Sequence, residues 1–280
     1  MPVSGWEAAL AAAVLGLLIG SFLNVVIHRM PLMLERRWAA DCAELSGQPA
    51  PPAPALNLMQ PRSRCPHCSH AIAWHENIPV FSYLWLRGRC SACKAAISPR
   101  YPVIELATAL IFSACAVRWG LGAQAALWAG FSACLLALAA IDWDTTLLPD
   151  DITLPLLWAG LVAALLGFNA LPLSASLWGA VAGYLSLWSI FWAFKLLTGK
   201  DGMGYGDFKL FAAIGAWMGW QALVPVLLAA SVVGAVVGIA MKSFNALREG
   251  GVVPFGPFLA LGALGVLAIG PQRVLAWMGW

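Results

Sequence analysis

Gly202-Met203-Gly204-Tyr205-Gly206-Asp207-Phe208-Lys209 is a glycine-rich turn that sets one carboxylate at the edge of a long apolar run, residues 210 to 241. As a single helix those 32 residues would reach about 48 Å, against a hydrocarbon thickness of about 30 Å. The run is therefore expected to break, near Gly219-Trp220, into two short spans. One other region offers carboxylates in a comparable setting: Ile141-Asp142-Trp143-Asp144, which closes an apolar run beginning near Leu121. Two such aspartates make a candidate catalytic pair.

Working outward, the 280 residues are 61% hydrophobic and 10% charged, whereas a soluble domain averages about 45–50% and 25%. The chain reads as an integral membrane protein. Further spans are expected at 6 to 27, 102 to 117, 121 to 141, 152 to 168, 174 to 197 and 256 to 277. With the two halves of the long run, this gives an all-α polytopic protein of about eight transmembrane helices. The first span carries Glu7 and no basic segment before it, so it reads as a retained anchor, not a cleaved signal. Nine of the sixteen Lys and Arg fall between Arg29 and Arg100, the one stretch of soluble character. The expected organisation is a first helix (1–28), a hydrophilic insert (29–100) and a helical membrane body (101–280).

Basic residues in short loops set orientation. With the N-terminus outside, the segments 28 to 101, 142 to 151, 198 to 209 and 242 to 251, together with Lys195, put fourteen of sixteen basic residues in the cytoplasm; only Arg118 and Arg273 lie outside. Asp142 and Asp207 then reach the same, cytoplasmic face. Tryptophans at span ends, such as Trp6, Trp119, Trp220 and Trp277, fit an interfacial belt.

The insert opens with polar sequence and a loose linker, Pro49-Ala50-Pro51-Pro52-Ala53-Pro54. Beyond it, Cys65-Pro66-His67-Cys68 and Cys90-Ser91-Ala92-Cys93 form two CxxC knuckles with 21 residues between them. Paired CxxC turns present four thiolates tetrahedrally to zinc. Disulfides are the competing reading, and a reducing cytoplasm favours the metal. Such a site is closed by four sulfurs, so it would fold the insert and not catalyse. His67, His70 and His75 are possible replacement ligands but read more simply as polar loop residues. Cys42, Cys115 and Cys134 have no partners in sequence.

A carboxylate at the rim of a span is costly enough to suggest function. Asp144 would face elsewhere on a helix than Asp142, while Asp150 and Asp151 suit the start of the next helix, where they cap N–H groups and meet its dipole. The glycine-rich turn is not a phosphate loop: GxxxxGK[ST], GxGxxG and a preceding strand are all missing. Two carboxylates brought together share a proton, so one can take a proton from water while the other donates to a scissile carbonyl. Sequence leaves two other classes open: a transporter using the rim aspartates, which would be expected to show internal repeats that are not seen, and a scaffold that docks partners through the insert.

These residues together resemble the type IV prepilin peptidases. The resemblance rests on Gly20-Ser21-Phe22-Leu23-Asn24-Val25-Val26-Ile27-His28-Arg29, the two knuckles with Asn77-Ile78-Pro79, Leu86-Arg87-Gly88-Arg89 and Arg100-Tyr101-Pro102, Ile141-Asp142 with Leu148-Pro149-Asp150, and Gly204-Tyr205-Gly206-Asp207-Phe208-Lys209. It implies a GxGD-type intramembrane aspartic protease of the bacterial inner membrane, with Asp142 and Asp207 catalytic and Cys65, Cys68, Cys90 and Cys93 holding a structural zinc. Implied substrates are prepilins and type II secretion pseudopilins, met beside the lipid bilayer and in possible contact with pilus or secretion machinery; nucleic acid is not among the implied partners. The family also methylates the new N-terminal amine with S-adenosylmethionine, an activity that composition and spacing do not reveal and whose residues are unassigned; a peptidase without it is the alternative. Glu76 and Glu105 are acidic residues on the expected substrate side, where they could meet a basic leader or simply be interfacial charges.

Overall fold

Apolar runs bounded by Gly and Pro give helices, and in the computed structural model, which describes residues 5–49, 55–244 and 253–279, every described element of regular structure is helical. Ala50–Pro54 of the linker, and most of the expected cytoplasmic segment 242 to 251, lie outside the described residues. The chain forms two compact units, divided between Ala137 and Leu138.

In the first unit, α1 runs without interruption from Gly5 to Leu45, carrying Pro31 inside it. The membrane helix thus continues for more than four turns into what composition marks as the soluble insert. After two short elements, a 3₁₀ turn at Trp74–Asn77 and α2 (Phe81–Trp85), α3 (Arg100–Trp119) returns alongside α1. Glycines allow that close approach. A Cβ at Gly16 would lie 2.7 Å from the Ala109 Cα, and one at Gly20 would lie 2.7 Å from the Glu105 Cα. Small residues at a helix crossing are how membrane helices gain packing contact when no water drives them together. At the same level Asn24 Nδ2 donates to the Tyr101 carbonyl (3.1 Å). Arg29, 9% exposed, donates to the carbonyls of Asn57 (2.9 Å) and Pro61 (2.7 Å), tying the insert to α1. The helix α4 (Ala123–Thr145) starts in this unit and ends in the second.

The second unit is built around α7 (Tyr205–Met218), whose residues from Asp207 to Met218 are nearly all buried. Around it stand α5 (Asp150–Leu165), α6 (Leu173–Thr198), α8 (Leu223–Ser243) and α9 (Gly256–Ile269), followed by α10 (Pro271–Trp277). Gly179 of α6 and Gly215 of α7 press backbone to backbone, each leaving no space for a Cβ on the other. Ser176 Oγ donates to the Ala216 carbonyl, and Trp217 Nε1 donates to the Leu156 carbonyl (2.8 Å), so α6 and α5 are each joined to α7 by a buried hydrogen bond. A helix enclosed on all sides can be apolar all round, as α7 is, and α8, much of it exposed, is apolar as a membrane-crossing helix; together they make 210 to 241 read as one unbroken run. The break falls where length requires it, at Gly219 (φ 81°) and the 3₁₀ turn Trp220–Ala222.

The eight expected spans each fall on a helix or, for the last, on a pair of helices. Among the described residues five helices are long and apolar enough to span a membrane: those at Gly5–Leu45, Arg100–Trp119, Ala123–Thr145, Leu173–Thr198 and Trp220–Ser243. The expected last span, 256 to 277, is instead α9 and α10 bent by 92° at Gly270, and the pair would make a sixth crossing if it is one broken span. The helices α5 and α7, of 16 and 14 residues, reach only about 24 and 21 Å.

Candidate functional site

Asp142 sits near the C-terminal end of α4 and Asp207 in the first turn of α7, both within the second unit and both buried, at 4% and 5% exposure. The two carboxyls are close enough that the charge of Asp142 acts directly on Asp207. The turn that precedes α7 holds Asp207 by a local device: the Gly204 N–H donates to its Oδ2 (3.2 Å). This is the reciprocal half of a capping box, available to an acidic residue three positions after the N-cap. Oδ1 of Asp207 is buried with no hydrogen-bond partner among the described residues. Oδ2 of Asp142 is likewise shut away from solvent.

What presses on this pair was not legible in the spacing of the motifs. Gly256, the first residue of α9, lies against Asp142 so closely that a Cβ there would be 2.6 Å from Oδ2. Leu148 packs under both halves of the site, 2.7 Å from a Cβ position on Gly206 and 3.2 Å from one on Gly256. At the rim, Lys209 Nζ pairs with both oxygens of Asp150 (2.8 and 2.7 Å), joining α7 to α5. Asp150 therefore serves as an ion-pair partner; no side-chain cap closes the start of α5. Asp144 is exposed, as a residue two positions from a buried one on a helix should be. Tyr205 and Phe208 pack with Phe191 at ring separations of 5.3 and 5.6 Å, and fix the entry of α7 against α6. The signal that could have found Gly256 is the Gly256-Pro257 pair itself, a turn and helix-start signature within an apolar run.

The second candidate site lies in the first unit. The sulfurs of Cys65, Cys68, Cys90 and Cys93 all lie within 4.8 Å of one another, with Cys65–Cys93 at 3.8 Å and Cys68–Cys90 at 4.0 Å. Four sulfurs bound tetrahedrally at about 2.3 Å would sit roughly 3.8 Å apart, so the cluster fits zinc. None of the four is in a disulfide. The knuckles repeat one another: Ser69 N–H and Lys94 N–H each close onto the first cysteine carbonyl of their own turn (2.9 and 3.1 Å), and both residues have positive φ, 57° and 60°. Backbone N–H groups of Cys93 and Ala92 pull the Cys90 thiol down to about 6. The Cys68 thiol, against the pull of the His70 backbone N–H, rises to about 11, with burial and the neighbouring sulfurs raising it, so the geometry of the four sulfurs and not their titration carries the metal reading. His67, His70 and His75 are not part of the cluster.

Glu76 and Glu105 already have structural partners. Glu76 accepts from the Ser91 hydroxyl, from Ala73 N–H (2.8 Å) and, at 3.3 Å, meets His70 Nε2; these contacts hold its carboxyl at about 2, the Ser91 hydroxyl most strongly. It thereby links the segment after the first knuckle to the second knuckle. Glu105, 7% exposed, accepts from Val80 N–H (2.7 Å) and from the Ser21 side chain.

Comparison with known proteins completes this picture. Residues 14–119 match the bacterial peptidase A24 N-terminal domain, and residues 129–239 match the type IV leader peptidase family. The chain belongs to that family. It is 52% identical to the prepilin leader peptidase/N-methyltransferase of Stutzerimonas stutzeri, over 96% of this chain and 93% of the relative. The proteins of the same description from Pseudomonas aeruginosa (52% identical, 94% and 91% of the two chains) and Aeromonas hydrophila (54%, 88% and 85%) are similar over nearly the same extent. No solved structure matches this chain. Both family matches carry a candidate site: the cysteine cluster falls in the first, Asp142 and Asp207 in the second.

Proposed function

We propose that this chain cleaves the leader peptide from type IV prepilins and type II secretion pseudopilins, and then N-methylates the new N-terminal residue. The observation that carries the peptidase reading is the pair itself: two buried aspartates from different helices, near enough that the charge of Asp142 bears on Asp207, one with an unpartnered oxygen. Like charges so close share a proton, which divides the roles. The ionised carboxylate takes a proton from water, and the resulting hydroxide oxygen bonds to the scissile carbonyl carbon while the protonated partner donates to the carbonyl oxygen. Collapse of the tetrahedral adduct breaks the C–N bond as the leaving amine takes the proton first drawn from water. Asp142 and Asp207 are the catalytic residues in this account.

A substrate with a basic leader followed by an apolar helix would lie in the bilayer with its cleavage point at the interface. The excess of basic residues in the short loops favours the cytoplasmic side of the inner membrane for the aspartates. Cys65, Cys68, Cys90 and Cys93 would hold zinc as a closed structural site that folds the insert. S-adenosylmethionine is the methyl donor in this proposal, on the strength of family membership, and no residue is assigned to it.

The test is incubation of detergent-purified protein with a prepilin and S-adenosylmethionine, followed by mass analysis of the product. A shortened product whose N-terminus carries one added methyl group is expected. A shortened product with a bare amine would leave a peptidase alone, and an intact prepilin would overturn the proposal.

A further inference from the structure

The insert carries an apolar surface that the peptidase chemistry does not use. Phe81, Leu84 and Trp85 lie at i, i+3 and i+4 on α2 and are 55%, 67% and 75% exposed; Trp74, in the preceding turn, is 81% exposed. The Phe81 and Trp85 rings pack edge to face at 5.7 Å, so these two rings form one aromatic face. Arg87 and Arg89 follow directly and are exposed.

Two membrane helices fix the depth of this patch. α3 has 20 residues, just enough for about 30 Å of hydrocarbon, so its first turns cannot stand clear of the membrane. Val80, the residue before α2, donates its N–H to Glu105, which lies five residues into that helix, about 7 Å from its start. α1 agrees independently. Gly20 packs against Glu105, and Asn24 donates to the Tyr101 carbonyl, all before α1 reaches its first cationic residue at Arg29. Val80 is therefore pinned at a level that both spans place inside the membrane boundary, and Phe81, Leu84 and Trp85 continue from it. Val80 adopts φ 60°, an unfavourable conformation for a β-branched residue, and Glu105 holds it there.

We propose that Trp74 and the Phe81–Trp85 helix form an interfacial anchor that buries this aromatic face in the headgroup–acyl boundary of the bilayer the chain itself spans, with Arg87 and Arg89 toward anionic headgroups. Aromatic residues with basic neighbours are the composition of segments that lie about 5–10 Å into that boundary. The anchor holds the cysteine cluster, which begins at Cys65 and resumes at Cys90 on either side of it, at the membrane surface.

The test replaces Leu84, and separately Trp85, by the photoreactive residue p-benzoylphenylalanine in the full-length protein in nanodiscs of phosphatidylethanolamine and phosphatidylglycerol. Both side chains are exposed, and the replacement at 85 keeps an aromatic ring beside Phe81. Met59 is the control position: it is 86% exposed in the loop that Arg29 holds farther along α1. After illumination, lipid adducts at 84 and 85 are expected at about ten times the yield at 59, as a face within the boundary requires. Equal yields at all three positions would overturn the proposal. Adducts at 84 and 85 that form only with added prepilin, and to the prepilin, would also overturn it and assign the face to substrate.

Discussion

Gly256 touches Asp142 where no other residue could, because a Cβ would sit 2.6 Å from Oδ2. Gly256→Ala is expected to cut leader cleavage at least tenfold and to destabilise the protein by about 1–3 kcal/mol through overpacking; cleavage rate and thermal melting in detergent check both. Glu76 acts on the other site. Removing its links between the two knuckles in Glu76→Ala is expected to weaken zinc retention by about tenfold, measured by competition with a chromogenic chelator, while leader cleavage at saturating zinc is little changed. At this scale the candidate residues were legible and the contacts that support them were not. Asp142, Asp207 and the four cysteines announce themselves by residue type and spacing, because a carboxylate at a membrane rim is costly without a role and paired CxxC turns suit a metal better than they suit packing. Gly256 is marked only by the Gly256-Pro257 helix start, and nothing in the sequence shows what it, Leu148 and Glu76 support: Gly256 and Leu148 press on residues far away in sequence, and Glu76 reaches from the first knuckle's side of the insert to Ser91.

Close helix contact is where the elements are most exposed to mutation. Gly179 and Gly215 leave no space between α6 and α7, so Gly179→Val is expected to prevent those helices from docking and to cost several kcal/mol, beyond the roughly 1–3 of ordinary overpacking. Gly130 in α4 has nothing within 4 Å of a Cβ position, so Gly130→Ala should be neutral or stabilising by up to about 1 kcal/mol. Size-exclusion profiles and melting temperatures of the two purified variants decide the contrast. Helix existence was legible throughout the membrane body, and the break near Gly219 follows from length alone. Two features escaped for physical reasons. Met30 to Leu45 is charged enough to look like a loop, yet charge does not oppose a helix, and α1 absorbs Pro31 and runs on. Gly270-Pro271 lies inside an apolar window, so hydropathy reads through a turn where the chain bends by 92°.

Across the whole molecule, the two units each carry one candidate site, thiols in one and carboxylates in the other. Metal removal should therefore be local. Chelation is expected to release one zinc per chain and to open the insert between about residues 57 and 98 to trypsin, since a four-thiolate site contributes folding energy outright; limited proteolysis with mass mapping reads the cut sites, and cuts spread evenly over the membrane body would contradict the separation. The central claim is that Asp142 and Asp207 together are the protease. The most direct measurement is the rate of prepilin cleavage by purified wild type, Asp142→Asn and Asp207→Asn, each checked by melting temperature for an intact fold. Either substitution removes half of a shared-proton pair and should lower the rate by about 10³-fold or more. A folded variant of either kind that cleaves at the wild-type rate would contradict the account.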